Sequence, residues 1–316
     1  MANVDFSKVR SYSINKRSSK VNVSEFAKSA KKRESFSSFY DSLPDILAVK
    51  SLKAVVDAIA NAHRRGRMVL VMMGAHVIKC GLSPLIIDLM EKGVVKAVAV
   101  NGAGVIHDTE IAMAGVTSED VGAGILDGSF GMARETAEFI NGAVNTGCLL
   151  GFGIGEVVGK RIIEARFKNE RLSILAAGRR LKVPVTAHVA IGTDIIHQHP
   201  SADGAAIGEG SMNDFKSLTA SVCGLGSGGV VLNFGSAVIM PEVFLKAINL
   251  ARNTGHPVKG FVAANFDMYT HYRPTQNILM RPAQKGYGKG YNIIGHHEIM
   301  LPLLYRAIIE KISHSV

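Results

Sequence analysis

GVVLNFGSAVIMPEVFLKAINLARNTG, residues 229–255, decides the fold. Its first seven residues form a short apolar run bounded by glycine, the pattern of a strand buried on both faces. Small residues follow at Gly235, Ser236 and Ala237. Then PEVFLKAINLAR (241–252) sets Val243, Phe244, Ala247 and Leu250 at helical spacing, as core packing against a sheet requires. Strand, small-residue turn and amphipathic helix make one βα unit, and strands buried on both faces belong to parallel sheets whose connections are helices.

The unit recurs along the chain. Strands are expected at MVLVMMG (68–74), VKAVAVNG (95–102), VPVTAHVA (183–190), GVVLNFG (229–235) and VKGFVAAN (258–265). Helical patterns lie near 52–64, 83–92, 131–142, 156–180, 208–222 and 241–253, with a last helix over 297–313. The Gly-rich region 105–155 shows no clear period, and no internal repeat is evident. The expectation is an α/β fold, a Rossmann-like parallel sheet flanked by helices, as one domain over 51–316. A basic, helical arm over 1–50 precedes it.

Composition agrees. A chain of 316 residues, 47% apolar with 33 glycines, is long enough for one large core. The formal charge of +10 is uneven: between Lys8 and Arg33 nine lysines and arginines face Glu25 alone, in a Ser-rich stretch that reads as exposed. No stacking platform accompanies that charge, so nucleic acid is not an expected partner. No apolar run approaches the roughly 18 residues of a membrane span, and the N-terminus lacks a secretion signal, so the expected location is cytoplasmic. Cys80, Cys148 and Cys223 form no CxxC pair and read as core thiols, with no disulfide or zinc framework.

Open parallel sheets bind ligands outside the carboxyl ends of their strands. The residues there are Gly74, Ala75 and His76; Asn101, Gly102, Ala103 and Gly104; Gly192, Thr193 and Asp194 with His197 and His199; Gly235 and Ser236; and Asn265 with Asp267. So many glycines beside acids and imidazoles point to a binding crevice. In MMGAHVIKCG (72–81) and NGAGVIHD (101–108) a strand runs into small residues and a helix, where backbone N–H groups can cradle phosphate. GLGSGG (224–229) has the dinucleotide spacing but follows a helix and precedes a strand, the wrong order for that role. His197 and His199 share a face of an extended segment without a convincing third ligand, so one hydrogen-bonded and one catalytic histidine is expected, and no metal. GHHEIML (295–301) lacks the second histidine of a zinc-protease helix. GYGKGY (286–291) reads either as a solvated turn or as a loop that presses Lys289 toward a ligand.

From about residue 65 onward this ordered set resembles deoxyhypusine synthase, an NAD-dependent enzyme of polyamine chemistry. The resemblance rests on GVVLNFGSAVIMPEVFLKAINLARNTG, TDIIHQHP, ANFD, the order Tyr287–Gly288–Lys289 and HEIMLPLLYRAI. It implies transfer of an aminobutyl-type group from a spermidine-like polyamine, through an imine on catalytic Lys289, to an amine acceptor, either a protein lysine or a free amine. His199 falls in the position of the family's active-site histidine, and Asp267 in that of its substrate-binding aspartate. Asp194 and Tyr287 would help hold the substrate's cationic ends. Gly74, Ala75, His76, Asn101, Gly102, Ala103, Gly104, Thr193, Gly235 and Ser236 would hold NAD, and His296 stands where the family has a cofactor-binding aspartate. A homotetramer with shared sites, reached by the N-terminal arm, is also implied. The sequence departs from the family at Ile106 and His107, where the family has two glutamates, at Tyr287, which replaces a tryptophan, and at Val238, Ile239 and Met240, which replace a lysine and paired histidines. The chemistry suits a lysine, since a primary amine captures an imine once desolvation has lowered its pKa. Two other readings stand beside this one: an NAD-assisted ornithine deaminase or cyclodeaminase with Arg273 or Arg281 as carboxylate anchor, and a non-catalytic NAD-binding protein.

Overall fold

The computed structural model describes residues 4–29 and 31–313. Residues 1–3, 30 and 314–316, which the expected arm and domain include, lie outside the described residues. The chain divides into two units, Met1–Lys50 and Ser51–Val316.

In the first unit three short 3-10 turns, Phe6–Lys8, Ile14–Lys16 and Val23–Glu25, are opened by the side chains of Asp5, Ser13 and Asn22. These are the residue types whose oxygens accept a turn's free N–H groups. Phe6, Ile14 and Val23 lead the three turns and are exposed. Helix α1 (Phe36–Ser42), capped by Ser35, follows. The arm therefore carries a threefold recurrence that its charge pattern conceals.

The second unit is built on one six-stranded sheet. Its strands are β1 (Val69–Met73), β2 (Ala97–Asn101), β3 (Val185–His188), β4 (Val230–Phe234), β5 (Phe261–Asp267) and β6 (Gly288–Ile294), in the order β3-β2-β1-β4-β5-β6 and parallel throughout. The fold is thus the expected Rossmann-like α/β class, with one correction. The segment around GYGKGY is a strand from Gly288, paired with β5 from Phe261↔Gly288 to Asp267↔Ile294. Glycine weakens strands, but this one is an edge, and packing demands the glycine: a Cβ on Gly290 would stand 2.6 Å from the Leu279 carbonyl oxygen.

The helices are α2 (Leu47–Arg64), α3 (His76–Lys79), α4 (Ser83–Glu91), α5 (Gly102–Ala114), α6 (Val121–Asp127), α7 (Arg134–Gly147), α8 (Ile154–Ala165), α9 (Ile174–Leu181), α10 (Gly204–Cys223), α11 (Ile239–Asn253), α12 (Tyr272–Pro274) and α13 (His297–Ser313), with a π-helical turn over Thr275–Met280. The single helix expected over 156–180 is two. Helix α8 ends at Arg166, whose φ is +53°, and α9 restarts at Ser173, whose Oγ accepts the Ala176 N–H at 3.0 Å. Buried Asp108 on α5 fixes that restart, accepting from Ser173 Oγ (2.5 Å), the Ile174 N–H (2.8 Å) and the Leu175 N–H (3.2 Å).

On one face of the sheet Leu70, Met72, Ala99, Val231 and Ala263 pack against Met240, Phe244, Ala247, Ile248 and Ala251 of α11 and Leu218 and Val222 of α10. Full burial of Phe244 alone contributes about 1.5–3 kcal/mol. The buried stripe of α11 is rotated from the expected one: Leu250 is 39% exposed, while Ile248 and Ala251 are buried. Beyond the other face, α13 is tied to α4 by Tyr305 Oη donating to Asp88 (2.8 Å) and to α2 by Lys311 with Asp57 (2.8 Å). Among the described residues no helix is long and apolar enough to cross a membrane.

Candidate active site at the carboxyl ends of the strands

Strands β1 and β4 are neighbours, and the chain leaves them toward opposite edges of the sheet. Their following loops diverge, opening the crevice in which doubly wound sheets bind ligands. Beyond the strands the ladder continues: the Gly74 N–H donates to the Phe234 carbonyl (2.9 Å), that of Gly235 to Phe266 (3.0 Å) and that of Gly295 to Asp267 (3.0 Å). These bonds bring four loops to one level. Gly235 has φ +63°, and a Cβ there would stand 2.4 Å from Nε2 of His297. A Cβ on Gly74 would stand 2.8 Å from the Gly235 carbonyl oxygen. Both glycines are therefore required by the chain's own close approaches.

His297, the first residue of α13, is the centre of this group and is only 3% exposed. Its ring meets Phe234 edge-on at 6.3 Å and lies 5.9 Å from the ring of His76, and its Nδ1 is buried without a hydrogen-bond partner. Burial lowers its pKa, and the Asp267 carboxylate opposes that shift. Asp267, also buried, has Oδ2 3.8 Å from Nε2 of His271. His296 is exposed, 3.8 Å from Glu298. His76 Nε2 lies 3.4 Å from Cys80 Sγ, whose thiol pKa is raised by burial and by Glu298.

A row of amides supports the crevice from within the sheet. Asn233, Asn265 and Asn292 pair in register across β4, β5 and β6. Asn233 Nδ2 donates to Asn265 Oδ1 (2.8 Å) and to the Ser236 carbonyl (3.0 Å), Asn265 Nδ2 to Asn292 Oδ1 (2.9 Å), and Asn292 Nδ2 to Thr270 (3.2 Å). The ladder fixes the turn after β4, while Ser236 Oγ accepts the Met240 N–H (3.2 Å) and opens α11.

A second polar group surrounds the end of β2. Asn101 caps α5, accepting the Gly104 N–H at 3.0 Å. Gly102 is bare because Asp194 occupies the space, a Cβ there standing 1.9 Å from Oδ2. Burial pushes the Asp194 carboxyl up to about 6, against a hydrogen bond from the Ala103 N–H. His197 accepts the Gly192 and Asp194 N–H groups at Nδ1 (3.1 and 3.3 Å), which leaves its proton on Nε2, 4.0 Å from Asp194 Oδ2. Asp194 and exposed Thr193 line a cavity of about 730 Å³ with Ala103, Lys79, His107, Glu110 and Glu119. Thr117 and Thr136 donate to the Glu110 carboxylate at 2.5 and 3.1 Å, and Glu119 accepts the Gly131 N–H at 3.0 Å.

The structure thus gathers Gly74, Ala75, His76, Gly235, Ser236, Asp267 and His296 around the crevice, and Asn101, Gly102, Ala103, Gly104, Thr193 and Asp194 beside it. Two expected residues, Lys289 and Tyr287, stand elsewhere, while His199 meets the loop that follows Phe130 of the cavity wall. His199 Nε2 donates to the Gly131 carbonyl (2.9 Å) and so ties down a loop. Lys289 is exposed near the start of β6, opposite Val262, about 16 Å along the sheet from Asp267. Its Nζ lies 5.2 Å from the Tyr291 ring, and the Tyr287 ring is held between Arg252 (4.7 Å) and Lys259 (4.6 Å). Arg273 is engaged by Glu242 (3.1 Å), and Arg281 by Asn277 (2.7 Å) and Tyr272 (3.1 Å). Sequence reasoning missed His297, the amide ladder and the carboxylates of α5. The shared Asn-Phe of VVLNFG and AANFD was the available signal for the ladder. Among the described residues no cluster of histidines, cysteines and carboxylates is arranged to hold a metal ion.

Fold and site together define a doubly wound, Rossmann-like α/β protein whose polar side chains converge at the crossing point of its sheet. Among solved structures it is similar to a conserved LOR/SDH protein of Methanococcus maripaludis S2 (TM-score 0.53, 14% identity, covering 84% of this chain and 71% of that one). It is also similar to AgrE in ternary complex with ornithine and NAD+ (0.53, 16%, covering 85% and 34%). A third is a protein assigned as a deoxyhypusine synthase of Entamoeba histolytica (0.51, 11%, covering 92% and 96%). The chain spans about a third of the length of AgrE. At these identities the likeness is one of fold. No protein-family model matches the sequence, and no curated protein matches it.

Proposed function

We propose that this chain binds NAD in the crevice and oxidises a carbon–nitrogen bond of a cationic amine, of the diamino-acid or polyamine class. The observation that carries this reading is the cavity beside the crevice, where Asp194, Glu110 and Glu119 gather three carboxylates along a wall that includes Ile106, Met113 and Phe130. An ammonium leaving water needs opposite charge, and its methylene stem needs an apolar surface. AgrE, of the same fold, was solved with ornithine and NAD+, and ornithine is such a cation.

The residues present fit a dinucleotide. Asp194 already meets the N-terminus of α5, so the phosphates fit the loops after β1 and β4, where the N–H groups of Gly74 and Gly235 are spent on the ladder and those of Ala75 and Ser236, the next in each loop, are the ones left to face a phosphate. The exposed His76 lies at the rim of the same space. NAD, when bound, supplies an acceptor for the hydride of the C–H bond beside the nitrogen. The chain's part is to hold the ammonium at Asp194 and Glu110, to exclude water with the apolar wall, and to move a proton.

A transferase variant of this reading passes the fragment through Lys289 to an amine acceptor. Within one chain Lys289 stands at the far end of β6, so that variant needs a second copy to bring its own Lys289 to the crevice. The exposed edge position of Lys289 is the observation that leaves room for it, and a homotetramer belongs to this variant.

Titration calorimetry with NAD tests the first step. NAD-loaded protein is then mixed with ornithine, a linear diamine or spermidine, and NADH and ammonia are followed. NADH with ammonia supports the deaminase form, and NADH with a borohydride-trapped adduct on Lys289 supports transfer. Bound NAD with no amine-dependent NADH refutes the proposal and leaves the binding-protein reading.

A further inference from the structure

Among the buried polar groups of the crevice, one has no task in the fold. His297 is 97% buried by its 3% exposure, yet neither ring nitrogen makes a hydrogen bond within the described structure, and Nδ1 is sealed from solvent as well. A buried histidine with a purely structural role is ordinarily bonded, because an orphaned buried polar group destabilises the fold. The chain carries this cost at the convergence of β1, β4 and β5, with Nε2 laid over the bare backbone of Gly235. Among the described residues the charged and titratable groups that act on it are Asp267 from β5, His76 from α3, Glu298 from its own helix and His296 just before it.

We propose that His297 is the general base of the site: with one ammonium of a diamine held at Asp194 and Glu110, Nε2 takes the proton that the substrate's second ammonium must lose before its carbon–nitrogen bond is oxidised, and Asp267 balances the imidazolium that forms. The inference rests on the amine-oxidation reading given above. In the step one N–H bond of the ammonium breaks and one N–H bond forms at Nε2, so the charge moves from substrate to ring and the amine regains its lone pair. A base must be neutral before it acts, and burial keeps this imidazole neutral near pH 7 while Asp267 limits how weak a base it becomes. Gly235 completes the arrangement, since any side chain there would displace the ring.

The test joins an equilibrium readout to a kinetic one. Ring resonances of labelled histidines are titrated in the NAD-free wild type, H297Q and D267N. The resonance lost in H297Q should titrate below the ordinary histidine value of about 6.5 and fall further in D267N. Calorimetry should find NAD affinity in H297Q within threefold of wild type. Amine-dependent NADH formation should drop by about 10²-fold or more, lose the acidic-limb dependence on this group, and recover partly in H297A on adding imidazole. H297N serves as a second variant if H297Q melts early. Wild type active with H297Q and H297N equally active overturns this inference alone. Wild type with bound NAD but inert toward every amine overturns the oxidation reading and the inference with it, and a His297 resonance unmoved by D267N removes the role given to Asp267.

Discussion

Gly235→Ala measures how tightly the crevice is built. Two costs can be worked from the geometry. The residue has φ +63°, where a Cβ costs about 1–2 kcal/mol. The same Cβ would stand 2.4 Å from His297 Nε2, 3.3 Å from Cε1 and 3.4 Å from Cδ2, so the ring must shift, and overpacking of this kind costs roughly 1–3 kcal/mol. The sum is about 2–5 kcal/mol. Gly128→Ala is the control. That residue ends α6 at φ +79° with nothing within 4 Å of its would-be Cβ, so only the backbone cost of about 1–2 kcal/mol applies. Both substitutions restrict the unfolded chain equally, which cancels that contribution in the comparison. Urea unfolding of both variants, with unchanged slopes, gives the difference as the cost of moving His297, and the His297 resonance should shift in Gly235→Ala alone. Equal destabilisation of the two variants would refute the packed contact.

Three further outcomes are expected. Asp214, buried, accepts the Gly155 and Ala187 N–H groups (3.0 and 2.9 Å), and burial raises its carboxyl to about 7 against those bonds. Its unfolded value is 3.8, so between about pH 4 and 7 the folded chain keeps a proton the unfolded chain has released; stability from this group is full below 3.8 and falls as pH rises through 7. Urea midpoints at pH 5 and 7 should show the fall, and D214N should flatten part of it, the rest belonging to Asp108 and Asp194, whose carboxyls are raised to about 6. Asn265→Leu cuts the amide ladder and strands Asn292 Oδ1 and one bond of Asn233, a loss of about 2–4 kcal/mol that unfolding should register, together with a looser turn at Ser236 in hydrogen exchange. Tyr287→Leu removes the ring between Arg252 and Lys259 and should cost about 0.5–2 kcal/mol while leaving NAD affinity unchanged in calorimetry, since it lies at the other end of the sheet.

Five of the six strands were legible because each is an apolar run buried on both faces, and such runs have few other places to go. The sixth was not. Gly288, Lys289 and Gly290 lack the strand composition, and only the register with β5 and the approach of Leu279 make a strand of them. The break between α8 and α9 was hidden for a similar reason: the signal is the Ser173 cap, and its force comes from Asp108, sixty-five residues earlier. Local pattern carries strand identity well and carries long-range polar ties poorly. The site divides the same way. The carboxyl-end loops were found by position in the fold, whereas the side chain at their centre was missed by one residue, because nothing local distinguishes exposed His296 from buried His297.

The glycines hold the deeper lesson about the site. Glycine after a strand reads as room for a ligand, and here Gly74, Gly102 and Gly235 do leave room, but the chain fills it with the Gly235 carbonyl, the Asp194 carboxylate and the His297 ring. A carboxylate at the start of α5 takes the position an anionic ligand would otherwise hold, which turns that helix end from an anion site into a holder of negative charge. The consequence is selective. With Asp194, Glu110 and Glu119 set around the cavity and one lysine, Lys79, among its lining residues, the end of β2 favours a cation, which on the proposed reading leaves the phosphates to the loops after β1 and β4. On that reading one sheet offers opposite polarities at adjacent strand ends, as an anionic dinucleotide and an ammonium substrate would require where they meet.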